Sequence, residues 1–181
     1  MLFRALAYII LGWLLMAVVA GLGHVFALTV MLPSTTAVLL VHLAFARERE
    51  TELPAKLAIV TVLGYLEDLH QGAPIGVLIL AHQLSFLALH WAAGRLALHG
   101  WLSRAAAALV AVGIVDLATW ATLMALAEPM RIPRDALMDA LWQSRWHLVA
   151  TFLVAHPVWL LTERLFRRLR IDPTPTPEEA P

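Results

Sequence analysis

Long apolar stretches separated by short polar breaks run through the whole chain, and six can be drawn, at roughly 5–28, 33–47, 54–69, 74–98, 105–127 and 146–166. A membrane barrel would need strands alternating over about ten residues. These stretches are instead continuously apolar and rich in Ala and Leu, so they predict helices. In lipid each segment must satisfy its own backbone polar groups, which a helix does. The expected fold is all-α: a polytopic integral membrane bundle of about six transmembrane helices, forming one domain over 1–171.

Two stretches depart from the simple pattern. The second, which begins at Pro33 as a first-turn proline, is short for a hydrocarbon core of about 30 Å. It must either cross with little tilt while its arginines snorkel, or be covered by neighbouring helices. Residues 133–145 place Leu137, Met138, Leu141 and Trp142 on one helical stripe, opposite Asp135, Asp139, Gln143 and Ser144. That predicts either a short amphipathic helix on the outer surface or an outward extension of the sixth span. The Pro-rich tail 172–181 (DPTPTPEEAP) is expected to be disordered or polyproline-like and cytoplasmic.

Composition fixes the solvent. Hydrophobic residues make up 61% of the chain and charged residues 14%, against about 45–50% and about 25% in soluble domains. Thirteen basic and 13 acidic residues leave no net field, so nothing points to a nucleic-acid partner. The absence of cysteine excludes disulfides, thiol catalysis and zinc–thiolate sites. Arg4, the following apolar run and Val25-Phe26-Ala27 imitate a secretory signal. The run is long for one and further spans follow at once, so an uncleaved first helix is expected.

Basic residues orient the bundle. With six crossings, Arg4, Arg47, Arg49, Lys56, Arg95, Arg104, Arg164, Arg167, Arg168 and Arg170 share one side. Only Arg131, Arg134 and Arg145 fall on the other. Both termini are therefore expected in the cytoplasm. The mixed-sign segment 47–52 (RERETE) reads as a solvated helix end, and the arginines from 164 to 170 as an anchor on anionic lipid.

The segment 64–76 (GYLEDLHQGAPIG) stands out. Gly64, Asp68 and Gly72 recur every four residues. A glycine on such a face lets another helix approach closely, and Gly72 suits the left-handed cap that stops the third helix. Pro74 is expected to open the fourth helix and Gly76 to keep its first turn slim. Asp68 and Glu67 sit unfavourably at the negative end of the third helix, unless one faces the backbone N–H groups that start the fourth. Asp68 is thus either a tie across a tight turn or a charged contact for a partner or substrate.

The pattern G-x-x-x-D-x-x-x-G-x-P-x-G, filled by Gly64, Asp68, Gly72, Pro74 and Gly76 between two hydrophobic helices, resembles the rod-shape-determining MreD family. The six-span layout and short tail resemble it too. Glu67, the histidines of the fourth span and the Pro-rich tail have no counterpart in that pattern. The resemblance implies a non-enzymatic, multi-pass inner-membrane component of the bacterial cell-elongation machinery. Its partners would be MreC-like proteins, the RodA glycosyltransferase and a transpeptidase, with an indirect link to an MreB-like filament. It also implies a fold similar to the substrate-binding subunits of energy-coupling-factor vitamin transporters. From that likeness comes a rival expectation: a small-molecule capture subunit, with Asp116, the membrane histidines and Trp120 lining an outward pocket.

Other polar residues lie within spans. A charge at the depth of Asp116 costs about 2.5–3.5 kcal/mol on insertion scales, so it should face the interior. It either orders the bundle or meets a partner helix, or it is a neutral acid bonded to Thr119, His82 or a backbone carbonyl. His82, Phe86 and His90 share one face of the fourth span, and His24 and His156 lie in others. His82 and His90 are about 12 Å apart along a helix rising about 1.5 Å per residue, too far for one metal. Polar contact between helices is the expected role. A metal or proton carrier would need His82 and Asp116 to converge. No HExxH, Ser–His–Asp set or nucleotide loop is present, so neither an enzyme nor a cofactor is expected.

Overall fold

Helices form where the apolar stretches predicted them. The computed structural model describes residues 2–26, 32–46 and 53–169. Six α-helices follow in order: α1 Leu2–Phe26, α2 Thr35–Phe45, α3 Leu53–Gln71, α4 Val77–Ala93, α5 Gly100–Met130 and α6 Arg134–Arg168. No strand occurs among the described residues. Three helices, over Leu2–Val25, Gly100–Pro129 and Arg134–Arg168, are long and apolar enough to cross a membrane. Segments 27–31, 47–52 and 170–181, with the expected solvated helix end and Pro-rich tail, lie outside the described residues.

For the second stretch the structure takes the alternative of cover by neighbouring helices. Its helix α2 has 11 residues, or about 16 Å, roughly half a hydrocarbon core. Every residue from Thr35 to Ala44 is buried, and α1, α3, α4, α5 and α6 all pack on it. It is a covered central helix, not a crossing exposed to lipid. Pro33 does not open it: Ser34 does, its hydroxyl accepting from the Ala37 N–H at 3.2 Å. A serine oxygen supplies the acceptor that the free first-turn N–H groups need, which proline cannot do. The Ser34 N–H in turn donates to the Thr151 hydroxyl at 2.9 Å, fixing the start of α2 on α6.

Of the two options for 133–145, the structure takes the extension, because α6 runs unbroken from Arg134 to Arg168. On the predicted stripe only Leu137 is buried; Met138 and Trp142 are exposed. The Arg145 guanidinium lies over the Trp142 ring at 4.1 Å.

Side-chain contacts join the helices at two ends of the bundle. At one, the Tyr8 hydroxyl meets His42 Nδ1 at 2.7 Å. Phe166 packs on Tyr8, and Trp159 on His42. Glu163 there accepts from the Trp159 indole at 2.6 Å and pairs with Arg104 at 3.3 Å, joining α5 to α6. The α3–α4 turn lies at the other end, with the buried Glu67, Asp68 and His82 beside it.

Candidate functional site

The turn is built from short-range chemistry. Helix α3 stops at Gly72, which takes φ +66°. The Ala73 N–H reaches back to the Asp68 carbonyl at 3.2 Å. That closure is characteristic of a glycine-capped helix end. Pro74 does not open α4. It occupies the turn, its carbonyl accepting from the Val77 N–H at 3.2 Å, and α4 begins only at Val77. Gly76 is required for conformation and not for slimness: it has φ +104°, and an added Cβ would meet nothing within 4 Å. Gly64 is the residue that needs space. A Cβ there would lie 2.8 Å from the Ile79 Cα. Helices α3 and α4 therefore touch backbone to backbone, as close-packed helices in lipid do.

Asp68 ties the two helices. Its Oδ2 accepts from the Gly76 N–H at 2.8 Å and its Oδ1 from the Leu78 N–H at 2.9 Å. Both donors belong to the first turn of α4, which lacks intrahelical acceptors and carries the positive end of the helix dipole. The carboxylate is buried, and its two oxygens are occupied within the chain.

Glu67, one residue earlier, makes a contact that sequence reasoning missed. Its Oε2 faces His82 Nε2 at 3.0 Å, with both side chains buried. Its Oε1 accepts from the Gln71 amide at 2.8 Å, and the Thr36 hydroxyl is a further neighbour of the carboxylate. The His82 tautomer follows from its other nitrogen. Nδ1 meets the Leu78 carbonyl at 2.7 Å, and a carbonyl can only accept, so Nδ1 carries a proton. At 3.0 Å, Nε2 and Oε2 then require one further proton between them. Wherever that proton sits, the pair as a whole is neutral, which lowers the cost of burying it.

A second carboxylate–imidazole pair lies nearby. His147 Nδ1 stands 3.3 Å from Asp116 Oδ1, joining α6 to α5. Asp116 therefore takes neither His82 nor Thr119, and His82 and Asp116 do not share a site: each acid takes the imidazole presented by its own neighbouring helix. Asp116 Oδ2, Thr119 Oγ1 and Trp120 Nε1 are buried without a hydrogen-bond partner among the described residues. His90 is half-buried with its ring stacked on Phe86 at 5.8 Å. His24 is exposed, and His156 stands edge-on to Trp101. Among the described residues no group of three or more His, Asp or Glu side chains could hold a metal ion.

Between α1, the start of α2, the end of α3 and α6 lies a cavity of about 380 Å³. Thr35, Thr36, Glu67, His70, Gln71 and His147 form its polar wall. Met16, Val19, Ala20, Leu32 and Pro33 form the apolar one. Asp116 and Trp120, expected to line a pocket, are not part of it. Asp116 stands behind His147, and the polar wall is supplied by the start of α2, the end of α3 and His147 within α6. Glu67 could have been suspected from sequence, since the tight turn folds the start of α4 back along α3. The His147 contact carries no comparable local signal.

Comparison of the chain with family models, with curated proteins and with solved structures returns no match.

Proposed function

We propose that this chain is a non-enzymatic, multi-pass inner-membrane component of the bacterial cell-elongation machinery, with both termini cytoplasmic. Its task is to hold partner membrane proteins in register, an MreC-like protein first among them. The observation that supports this best is the construction of the 64–76 turn. Gly64, Asp68, Gly72, Pro74 and Gly76 each have a geometric role in one rigid joint, as an architectural protein needs. The resemblance of that joint to the MreD pattern supplies the machinery. Six crossings and a fold similar to the vitamin-transporter capture subunits belong to the same reading. In this reading the exposed Met138 and Trp142 near the start of α6 serve as a partner surface. Depletion of the protein should cost the cell its rod shape, and a tagged MreC-like partner should co-purify with it. Normal rods after depletion, with no elongation protein recovered, would end this proposal.

The cavity favours a second reading, a small-molecule capture subunit. Ordinary ligand sites enclose roughly 300–1000 Å³. The cavity, at about 380 Å³, falls within that range, and its walls divide into polar and apolar faces. A ligand retained through purification in mild detergent, and identified by mass spectrometry, would support it.

A further inference from the structure

The polar wall of the cavity has a chemical bias. Among the described residues no lysine or arginine lines it. His70 Nδ1 faces the Leu66 carbonyl at 2.9 Å, so that nitrogen carries the proton. His147 Nδ1 is likewise committed to Asp116. In their neutral forms both rings keep Nε2 as an acceptor. The Gln71 amide N–H₂ is turned to Glu67, which leaves its carbonyl as the atom with capacity. The Glu67 carboxyl, with Gln71, His82 and Thr36 beside it, has about four lone-pair sites and so keeps room for a further donor. Acceptors therefore dominate. Thr36 and Glu67 are buried, where an acceptor left without a donor costs more, while His70 and Gln71 are exposed. An anion would meet like-signed lone pairs and the Asp116 carboxylate behind His147.

We propose that this cavity binds a small organic cation, an ammonium group with N–H donors carried on an apolar body. Its charged end meets Glu67, Thr36 and His147, and its apolar end lies against Met16, Val19 and Leu32. The proposal rests on the capture reading of the cavity and adds the ligand class. It does not depend on whether the chain also scaffolds the elongation machinery.

Three matched probes test it by fluorine NMR on the full chain in nanodiscs: para-fluorophenethylammonium, para-fluorophenylacetamide and para-fluorophenylacetate. Empty nanodiscs measure partition into lipid. The ammonium probe should bind about tenfold or more tightly than the acetate, a difference of about 1.4 kcal/mol. Glu67→Gln retains a hydrogen-bonding side chain of the same shape and should weaken the ammonium probe while leaving the amide unchanged. Val19→Phe, on the apolar wall, should abolish protein-dependent binding of the ammonium probe. Should Glu67→Gln fail to fold, Thr36→Val is to show the same selective weakening. Equal binding of all three probes, or preference for the acetate, overturns the cation class and leaves the capture reading standing. Ammonium binding that survives Val19→Phe places the ligand elsewhere and overturns the proposal. No binding above empty nanodiscs removes both the proposal and the capture reading.

Discussion

Glu67 Oε2 and His82 Nε2 lie 3.0 Å apart inside the bundle, with a single proton to share. Breaking such a pair from one side strands a buried polar group, at a cost of about 3–5 kcal/mol. Glu67→Ala and His82→Ala should each destabilise the protein on that scale. Glu67→Gln should not, because its amide can donate to Nε2 while its carbonyl still accepts from Gln71. Reversible unfolding in mixed micelles measures all three. A Glu67→Gln variant as damaged as Glu67→Ala would refute the shared proton.

Asp68 offers a sharper test of the turn, since each carboxylate oxygen takes one N–H of α4. Asn has one carbonyl oxygen and can take only one of them. Asp68→Asn should therefore lie between wild type and Asp68→Ala. The alanine variant leaves both donors without their side-chain acceptor, at about 1–3 kcal/mol each where buried. Thermal unfolding of the three proteins in one detergent gives the order. Equal stability of the asparagine and alanine variants would mean that the carboxylate matters for something other than these two bonds.

Alanine at two glycines of the same turn should fail for different reasons. At Gly64 the new methyl meets the Ile79 backbone. Helices α3 and α4 must then part, at about 1–3 kcal/mol. At Gly76 there is room, but φ is +104°. A side chain in that conformation is strained by about 1–3 kcal/mol. Further enlargement, followed by the same unfolding measurement, tells them apart. Gly64→Val should be much worse than Gly64→Ala, whereas Gly76→Asn should recover part of the loss, because asparagine tolerates positive φ.

The exposed pair on α6 separates folding from partnership. Met138 and Trp142 are both exposed. Changing them together to serine should leave stability within about 0.5 kcal/mol, as surface changes usually do. On the scaffold reading the same variant should recover less of the MreC-like partner in a pull-down. Unchanged recovery would remove this surface from the proposal.

The α3–α4 turn was legible in the sequence because its parts are near one another in the chain. A glycine stop, a proline in the link and an acid just before them constrain the backbone within a few residues. Helical identity was legible for a similar reason: a continuously apolar segment in lipid must bond its own backbone, wherever its neighbours stand. The exact start of α4 was not, because Gly76 takes a backbone conformation that a proline two residues earlier does not announce.

Partner choice among the buried polar groups was decided only by the tertiary structure. Asp116 meets an imidazole 31 residues away on another helix, and no local pattern distinguishes His147 from the other membrane histidines. The burial of α2 is of the same kind, since it depends on the other five helices closing round a short one. The cavity depends on how the start of α2 and the end of α3 meet α1 and α6. Local spacing determined the joint at 64–76, and packing across the bundle determined the pairs and the space beside it.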